Sequence, residues 1–250
     1  MTGSKTLERV NVNTGKRPKF AIVRFPGSNC DQDAFHVVQD ALHCPVEYVW
    51  HQDKSLKGFD VVIVPGGFSY GDYLRCGAVA RFSNIMDAVI NHANSGRYVF
   101  GVCNGFQILC EAHLLPGALV RNRDCKFLCQ YVHLRVENAG TPYSSAYSDG
   151  QVIRVPIAHG EGCYIAEPET LRQLEAHNRV VFRYADARGN VTPESNPNGS
   201  LNNIAGIANK AYNVVGMMPH PERACDKMLG SKDGLGLFSS LVQTIILKKM

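Results

Sequence analysis

The sequence predicts an α/β fold with an open, mainly parallel sheet that is flanked by helices and extended by antiparallel strands. From Lys19 onward, short β-branched runs alternate with segments of helical period, which is typical of a parallel sheet covered by helices. Beyond about residue 130, strand-like runs follow one another with short polar turns, as antiparallel strands do. With 250 residues and 45% hydrophobic side chains, the chain can bury a substantial core.

The predicted elements follow in order along the chain. The first strands are FAIVRF from Phe20, VEYVW from Val46, VVIV from Val61 and YVF from Tyr98. Between them, apolar residues three and four apart mark two helix faces that would cover the sheet. These faces hold Ala34, Val37, Val38, Ala41 and Leu42, and then Phe82, Ile85, Met86, Val89 and Ile90. The later strands are VHLRVEN, QVIRVPI, RVVFRYA, IAGIA and NVVGMM, and the closing helix carries Phe238, Leu241, Val242, Ile245 and Ile246.

Charge and cysteine content narrow the class of protein. The net charge of +4 arises within residues 1–19, where five Lys or Arg side chains face one Glu, so the rest of the chain shows no electrostatic footprint for nucleic acid. We expect residues 1–18 to be a polar, basic extension and residues 19–250 to form one domain. Nine cysteines without a C-x2-C pair indicate free thiols in a reducing compartment, the cytoplasm. No apolar run approaches the roughly 18 residues of a membrane span, and the first residues lack a signal-peptide core.

Cys103 is the first candidate for chemistry. It lies in RYVFGVCNGFQIL, where an apolar strand pattern meets a helical one. The G-x-C-x-G spacing copies the G-x-S-x-G turn, which needs small residues on both sides of an exposed nucleophile. The positive end of the following helix dipole would favour a thiolate. The motif alone also fits a buried cysteine in a turn between a strand and a helix.

A glycine-rich loop, PGGFSYGDYLRCG, starts at Pro65 directly after a predicted strand. Its glycines would let backbone N–H groups point into a cleft, as an oxyanion hole requires. A phosphate cradle is the alternative. However, Gly66, Gly67 and Gly71 match neither the dinucleotide-binding pattern nor the P-loop with its lysine.

The segment VVGMMPHPER supplies a base and an orienting group for a cysteine nucleophile. His220 follows a predicted strand, and Glu222 stands two residues on, with Pro221 stiffening the link. Because active sites of open α/β sheets form where the strands' carboxyl ends meet their loops, Cys103 and His220 are expected at one edge. For His220 taken alone, a hydrogen-bonded loop histidine is the alternative.

Cys125, Cys129 and His133 recur every four residues and would line up as metal ligands on a helix. The stretch passes into a strand pattern, and the spacing offers no fourth ligand for a structural zinc ion. We therefore interpret the cysteines as structural, and no metal site is expected.

Together, PGGFSYGDYLRCG, GVCNGFQIL, IAHGEG and GMMPHPER resemble the class I glutamine amidotransferases, whose architecture is flavodoxin-like. Within that family, FSYGD combined with HGEG is similar to the glutaminase subunits of phosphoribosylformylglycinamidine synthase. The resemblance runs from about Lys19 to the C-terminus. Cys163 in HGEGCY stands where many relatives have Asn. This difference does not involve Cys103, His220 or Glu222.

The resemblance implies Cys103 as nucleophile, His220 as general base and acid, and Glu222 as the group that holds His220. These roles agree with those argued from the residues. The resemblance further implies an oxyanion hole from the N–H groups of Gly67 and Asn104.

Other implied residues have less defined roles. Gln107 is expected to contact the α-amino and carboxylate end of glutamine, with an exposed helix position as the alternative. His159 and Glu161 are expected to line the glutamine pocket or a partner interface. Ser28 and Asn29 in PGSNCD would face the site or, more simply, cap a helix.

The implied activity is hydrolysis of L-glutamine to glutamate and ammonia through a cysteine thioester. The ammonia would pass to a separate synthetase subunit, which uses ATP and Mg²⁺ to convert formylglycinamide ribonucleotide into its amidine in de novo purine synthesis. A small accessory subunit is a further implied partner, and no cofactor is expected in this chain.

Two other functions remain open from the sequence. One is a cysteine hydrolase of the intracellular peptidase and deglycase group, which typically has His directly after Cys, whereas Asn104 follows Cys103 here. The other is a scaffold subunit of the same complex without catalytic activity, against which the intact triad argues.

Overall fold

The structure, a computed structural model, describes residues 17–250. The predicted extension at residues 1–18 therefore lies outside the described residues, except for its last two. Of these, Arg17 is exposed, and its guanidinium donates a hydrogen bond to the carbonyl of Leu42.

A nine-stranded mixed sheet lies at the centre, in the order β2-β1-β3-β4-β11-β10-β9-β6-β7. Its strands are β1 (Phe20–Arg24), β2 (Val46–Trp50), β3 (Val61–Val64), β4 (Tyr98–Val102), β6 (Leu128–Val136), β7 (Val152–His159), β9 (Val180–Ala185), β10 (Ile204–Ala208) and β11 (Val214–Met217). A separate antiparallel pair joins β5 (Ala118–Val120) to β8 (Cys163–Ile165). The predicted α/β class with a mainly parallel core and antiparallel additions is confirmed.

One strand lies in a different half of the sheet from the one predicted. NVVGMM was expected among the antiparallel additions, but β11 pairs in parallel with β4, from Val214 opposite Val99 to Met217 opposite Val102. It is antiparallel only to β10. All four residues of β11 are buried, so its apolar sequence could not show which half of the sheet it borders.

Five α-helices flank the sheet in the described part of the chain: α1 (Asp31–His36), α2 (Asn84–Asn94), α3 (Asn104–Glu111), α4 (Pro168–Ala176) and α5 (Leu235–Lys249). A π-helical segment, Val37–Ala41, continues α1. Ala41 and Phe82, both predicted on buried helix faces, are exposed, because Ala41 ends the π-helical segment and Phe82 precedes α2. The polar helix α4 was not predicted, since Leu174 is its single buried residue.

Helix α3 packs unusually close to the sheet because of two glycines. A Cβ on Gly105 would lie 1.8 Å from the carbonyl oxygen of Val64, and a Cβ on Gly101 would lie 2.6 Å from Leu109 Cδ1. Only residues without a side chain allow this approach. The start of α3 is thereby held against the ends of β3 and β4.

Candidate active site

The carboxyl ends of the parallel strands meet along one edge of the sheet and carry the predicted catalytic residues. Strand β3 leads into Gly66, β4 into Cys103 and β11 into His220. A Cβ placed on Gly66 would lie 2.9 Å from His220 Cε1 and 3.3 Å from Cys103 Cβ. The structure thus brings these residues together, and the missing side chain of Gly66 leaves room for the imidazole and the thiol.

Cys103 occupies a sharp turn between β4 and α3. Its φ of 51° and ψ of −109° are rarely adopted by residues other than glycine, as expected of a nucleophile held on a strained turn. Its N–H donates to the carbonyl of Met217 at 2.8 Å, which ties the turn to the end of β11. Its thiol lies 3.7 Å from the carbonyl oxygen of Ala158.

His220 and Glu222 form a buried pair beside this thiol. Nδ1 of His220 lies 2.6 Å from Oε1 of Glu222, and the side chains are 2% and 1% exposed. The N–H of His220 donates to the carbonyl of Pro156 at 2.8 Å. Among the described residues, Nε2 of His220 has no hydrogen-bond partner. The orienting contact is therefore made at Nδ1, and Nε2 is left for a reacting group.

Electrostatics favour a proton on this imidazole. Burial lowers the pKa of His220, but the charge of Glu222, together with Cys103 and Cys30, raises it well above its usual value. A carboxylate at hydrogen-bonding distance stabilises the imidazolium in this way. The protonated form is the one that can give a proton to a departing amine.

The predicted oxyanion donors lie on two adjacent segments. Gly67, at a φ of 152°, packs so tightly against residues 27–29 that a Cβ would lie 2.7 Å from the oxygen of Gly27. The backbone hydrogen bonds between these segments are made by the carbonyl of Gly66 and the N–H of Phe68, so the N–H of Gly67 takes no part in them. Asn104 is the first residue of α3, where backbone N–H groups have no intrahelical acceptor.

The side chains of Asn104 and Gln107 connect three segments around the site. Oδ1 of Asn104 accepts from the N–H of Ser69 at 3.2 Å, and its Nδ2 donates to Oε1 of Gln107 at 2.9 Å. Nε2 of Gln107 then donates to the carbonyl of Glu161 at 2.6 Å. Gln107 is 5% exposed, so the alternative of an exposed helix position is wrong. Here its amide links α3 to the HGEG loop.

His159 is buried at the end of β7. Its Nδ1 lies 3.1 Å from Oδ1 of Asn122, and its carbonyl accepts from Nδ2 of Asn122 at 2.8 Å. Burial, together with the nearby His220, lowers the pKa of His159 to about 4. Sequence reasoning missed Asn122, because an asparagine in a loop carries no signal that it will meet a histidine 37 residues away.

Glu161 lies closer to the surface than His159, and its carboxylate is 3.7 Å from the guanidinium of Arg121. It also approaches Asp72 and raises the pKa of that carboxyl, for which burial is the main cause. The rim of the site is therefore acidic on this side.

The PGSNCD turn contributes a residue that sequence reasoning did not select. The hydroxyl of Ser28 accepts from the N–H of Phe25 at 2.9 Å, so the predicted helix cap is wrong; Cys30 holds the N-cap position of α1. Asn29 is exposed, and its N–H donates to the carbonyl of Gly66. The buried thiol of Cys30 would be 3.0 Å from a Cβ on Gly66, which places it next to His220.

Cys125, Cys129 and His133 are not brought together. Cys129 and His133 lie on β6, where four residues span about 13 Å, and Cys125 lies in the preceding turn. In residues 17–250, the one cluster of three metal-ligand types is instead formed by Cys30, His220 and Glu222. The helical arrangement that would have aligned the first trio does not exist.

Comparison with known proteins identifies the family. Residues 17–233 match the family described as CobB/CobQ-like glutamine amidotransferase domain. The chain belongs to this glutamine amidotransferase family. It is 62% identical over 227 residues, 88% of this chain and 94% of the relative, to phosphoribosylformylglycinamidine synthase subunit PurQ of Thermosynechococcus vestitus. Its identity to the PurQ subunit of Acaryochloris marina is 58%, over 91% of this chain and 97% of the relative.

A solved structure supports the same assignment. A chain in the structure of PurLQS from Thermotoga maritima matches with a TM-score of 0.81 and 41% identity. The match covers 92% of this chain and 99% of that chain. The family resemblance predicted from the four motifs is therefore confirmed. No helix among the described residues is long and apolar enough to cross a membrane.

Proposed function

We propose that this chain is the glutaminase subunit of a phosphoribosylformylglycinamidine synthase, which supplies ammonia to a synthetase subunit. One observation carries the proposal: the Cys103 turn and the buried His220–Glu222 pair meet at one sheet edge in a chain 62% identical to a subunit of that enzyme. An inactive scaffold would not require these residues to meet, and a cysteine hydrolase of another family would not share this identity.

The proposed reaction begins with attack by the Cys103 thiolate on the side-chain amide carbon of L-glutamine. The N–H groups of Gly67 and Asn104 would hold the oxyanion, each contributing about 100- to 1000-fold in rate. The C–N bond breaks as His220 transfers its proton to the departing ammonia. His220 then takes a proton from water, which attacks the γ-glutamyl thioester, releasing glutamate and restoring the thiol.

The surrounding residues would hold the substrate and the catalytic groups. Glu222 keeps His220 oriented through Nδ1. Gln107 would contact the α-amino and carboxylate end of glutamine, and this requires its hydrogen bonds to Asn104 and Glu161 to rearrange or to be shared. His159 and Glu161 would line the pocket, and Glu161 would also attract the substrate's ammonium group.

The partners follow from the proposed role. A synthetase subunit would hold ATP and Mg²⁺ and use the ammonia to convert formylglycinamide ribonucleotide into its amidine; a small accessory subunit would complete the assembly. Free ammonia is mostly protonated near neutral pH and is then not nucleophilic, so a protected path between the subunits is needed. We place this chemistry in the cytoplasm, in keeping with the nine free thiols.

Glutamate release tests the proposal directly. The chain would be mixed with a candidate synthetase subunit and its accessory subunit, with and without ATP and formylglycinamide ribonucleotide. We expect release to rise strongly when both are present, to be low for the isolated chain, and to be abolished by Cys103→Ala. Cys44→Ala, at a buried thiol outside the site, is the matched control. Glutamate release that does not depend on formylglycinamide ribonucleotide would contradict the assignment to purine synthesis. It would still support a glutamine amidotransferase.

Affinity labelling separates the enzyme from the scaffold. A glutamine analogue with an electrophilic side chain should modify Cys103 in the assembled complex and spare the other eight cysteines. A complex that assembles but shows no adduct at Cys103 would favour the scaffold.

A further inference from the structure

A second thiol stands beside the imidazole on which the proposed reaction depends. Cys30 is 3% exposed, and its sulfur, a ring nitrogen of His220 and a carboxylate oxygen of Glu222 all lie within 4.8 Å of one another. The proposed glutaminase reaction uses His220 and Glu222 but gives no role to Cys30. Its position at this point of the fold therefore requires a separate explanation.

The three side chains offer atoms that metal ions bind, and part of their bonding capacity is unused. Among the described residues, Nε2 of His220 and Oε2 of Glu222 are both buried without a hydrogen-bond partner. Nε2 lies across the ring from the carboxylate that contacts Nδ1, so one ion bound to both side chains would take Nδ1. Buried polar atoms are normally hydrogen-bonded, and the orphan Oε2 therefore marks a carboxylate that can accept a further partner. Sulfur, imidazole nitrogen and carboxylate oxygen together are the ligand types that zinc takes in proteins.

Burial raises the pKa of the Cys30 thiol, and the neighbouring His220 and Arg223 partly offset this effect. The guanidinium of Arg223 donates to the Cys30 sulfur, with Nη2 at 3.2 Å, which stabilises a sulfur anion. The same guanidinium is paired with Asp33, whose Oδ2 lies 2.9 Å from Nε, and this reduces its repulsion of a cation. The cluster thus contains one potential thiolate and one carboxylate against a partly neutralised cation.

We propose that Cys30, His220 and Glu222 form an inhibitory site for a thiophilic divalent cation of the zinc class. Binding would form one metal–sulfur, one metal–nitrogen and one metal–oxygen bond, with water as the fourth ligand. It would break the hydrogen bond between Nδ1 of His220 and the Glu222 carboxylate. The Cys30 thiol would release its proton to solvent, together with any proton that the ligating ring nitrogen carries. The metal would occupy the base and its orienting carboxylate, and Cys103 would remain intact but without a proton acceptor.

This site differs from simple capture of metal by the nucleophile, and the difference can be measured. Metal binding through Cys103 and His220 would be lost in Cys103→Ala and would be unchanged in Cys30→Ser. The proposed site makes the opposite prediction, since Cys30 is a ligand and Cys103 is not. Because the assay measures metal binding without glutamine, its outcome is independent of whether the proposed glutaminase function is correct.

The test uses the full chain carrying Cys125→Ser and Cys129→Ser, which removes the two exposed thiols. Zn²⁺ affinity is measured by competition with a chromophoric chelator, and Co²⁺ serves as a spectroscopic probe of thiolate ligation. We expect one equivalent of metal and a thiolate-to-cobalt charge-transfer band, both retained in Cys103→Ala. Cys30→Ser, which keeps an acceptor for Arg223, should lose the band and bind Zn²⁺ roughly tenfold or more weakly.

Cys44→Ser is the matched control at a buried thiol outside the cluster and should bind like the parent. Unchanged affinity in Cys30→Ser, or loss of binding in Cys103→Ala, would overturn the proposal. If Cys30→Ser does not fold, the Cys103→Ala protein still decides, because absence of the thiolate band there contradicts ligation by Cys30. In the assembled complex, Cys30→Ser should need at least about ten times more Zn²⁺ for half inhibition.

Discussion

The parallel half of the sheet and its antiparallel extension contribute to the candidate site in different ways. The parallel strands β3, β4 and β11 lead into Gly66, Cys103 and His220, the residues closest to the proposed chemistry. The extension contributes mostly backbone acceptors: the carbonyls of Pro156 and Ala158 meet His220 and Cys103. In the proposed reaction, one half thus carries the reacting groups, and the other contacts them through backbone carbonyls.

This difference has a physical origin. Parallel strands bring their carboxyl ends to one edge of the sheet. Cys103 directly follows β4, and His220 comes shortly after the end of the adjacent strand β11. The extension reaches the same place from β7, which lies at the far edge of the sheet, through single hydrogen bonds. Changes in the parallel half should therefore abolish activity or folding, whereas changes in the extension should have graded effects.

The largest effect is expected for Glu222→Gln in the parallel half. A neutral amide cannot stabilise the imidazolium of His220 and can favour the wrong tautomer, which in a comparable triad lowers kcat about 10⁴-fold. We expect glutamine hydrolysis by the assembled complex to fall roughly 10³- to 10⁴-fold. Glu47→Gln, at an exposed position of the edge strand β2, is the control. Retention of a tenth of the activity in Glu222→Gln would contradict the assigned role.

Gly105→Ala should destabilise the fold itself. Alanine normally favours a helix, but here its Cβ would lie 1.8 Å from the oxygen of Val64, so α3 must move away from β3. We expect a loss of about 4 kcal/mol or more in the free energy of unfolding, measured by urea denaturation. The control in the extension is Gly160→Ala, whose Cβ has 3.7 Å of clearance and should cost less than about 0.5 kcal/mol. Equal losses of unfolding free energy in the two variants would contradict the proposed difference between the parallel half and the extension.

Acid should weaken both halves through buried neutral histidines. Burial lowers the pKa of His92 and of His159 to about 4 from an ordinary value of 6.5. Below pH 6.5 the unfolded chain binds more protons than the folded one, so stability falls as the pH drops from 6.5 towards 4. At pH 5 the loss is about 2 kcal/mol for His159, and it is smaller for His92, which lines a surface cavity.

Urea denaturation at pH 7 and pH 5 measures these losses. His159→Gln and His92→Gln should each flatten the pH dependence relative to the parent, and the exposed His36→Gln should leave it unchanged. An unaltered slope in both buried variants would show that these rings are not held neutral.

The smallest effect on activity is expected for Asn122→Ala in the extension. Asn122 holds the HGEG loop through His159 and through the N–H of Gly162 at 3.0 Å. Its loss should loosen the pocket wall, raising KM more than it lowers kcat, with kcat/KM reduced roughly 10- to 100-fold. Steady-state kinetics of the complex measure the changes in KM and kcat separately. Asn91→Ala, at an exposed position, is the control. A pure kcat effect would instead place Asn122 closer to the reaction.

Local patterns in the sequence predicted the strands, the turn at Cys103 and the link between His220 and Glu222, because each depends on residues that are neighbours in the chain. Relations between distant segments could not be obtained in this way. The position of β11 beside β4, the burial of Gln107 and the contact of Asn122 with His159 depend on which surfaces meet after folding. Cys30 was overlooked because its turn precedes an ordinary helix, and only the parallel order of β1 and β3 brings it to the site.

The amide of Asn104 has a mechanical consequence. It joins the N–H of Ser69 to the side chain of Gln107, so the glycine-rich segment and the start of α3 cannot shift independently. Phe68, Tyr73 and Leu74 lie on that same segment and are 49%, 76% and 93% exposed. A displacement of this segment would therefore either break the hydrogen bond to Asn104 or move the peptide group that follows the proposed nucleophile.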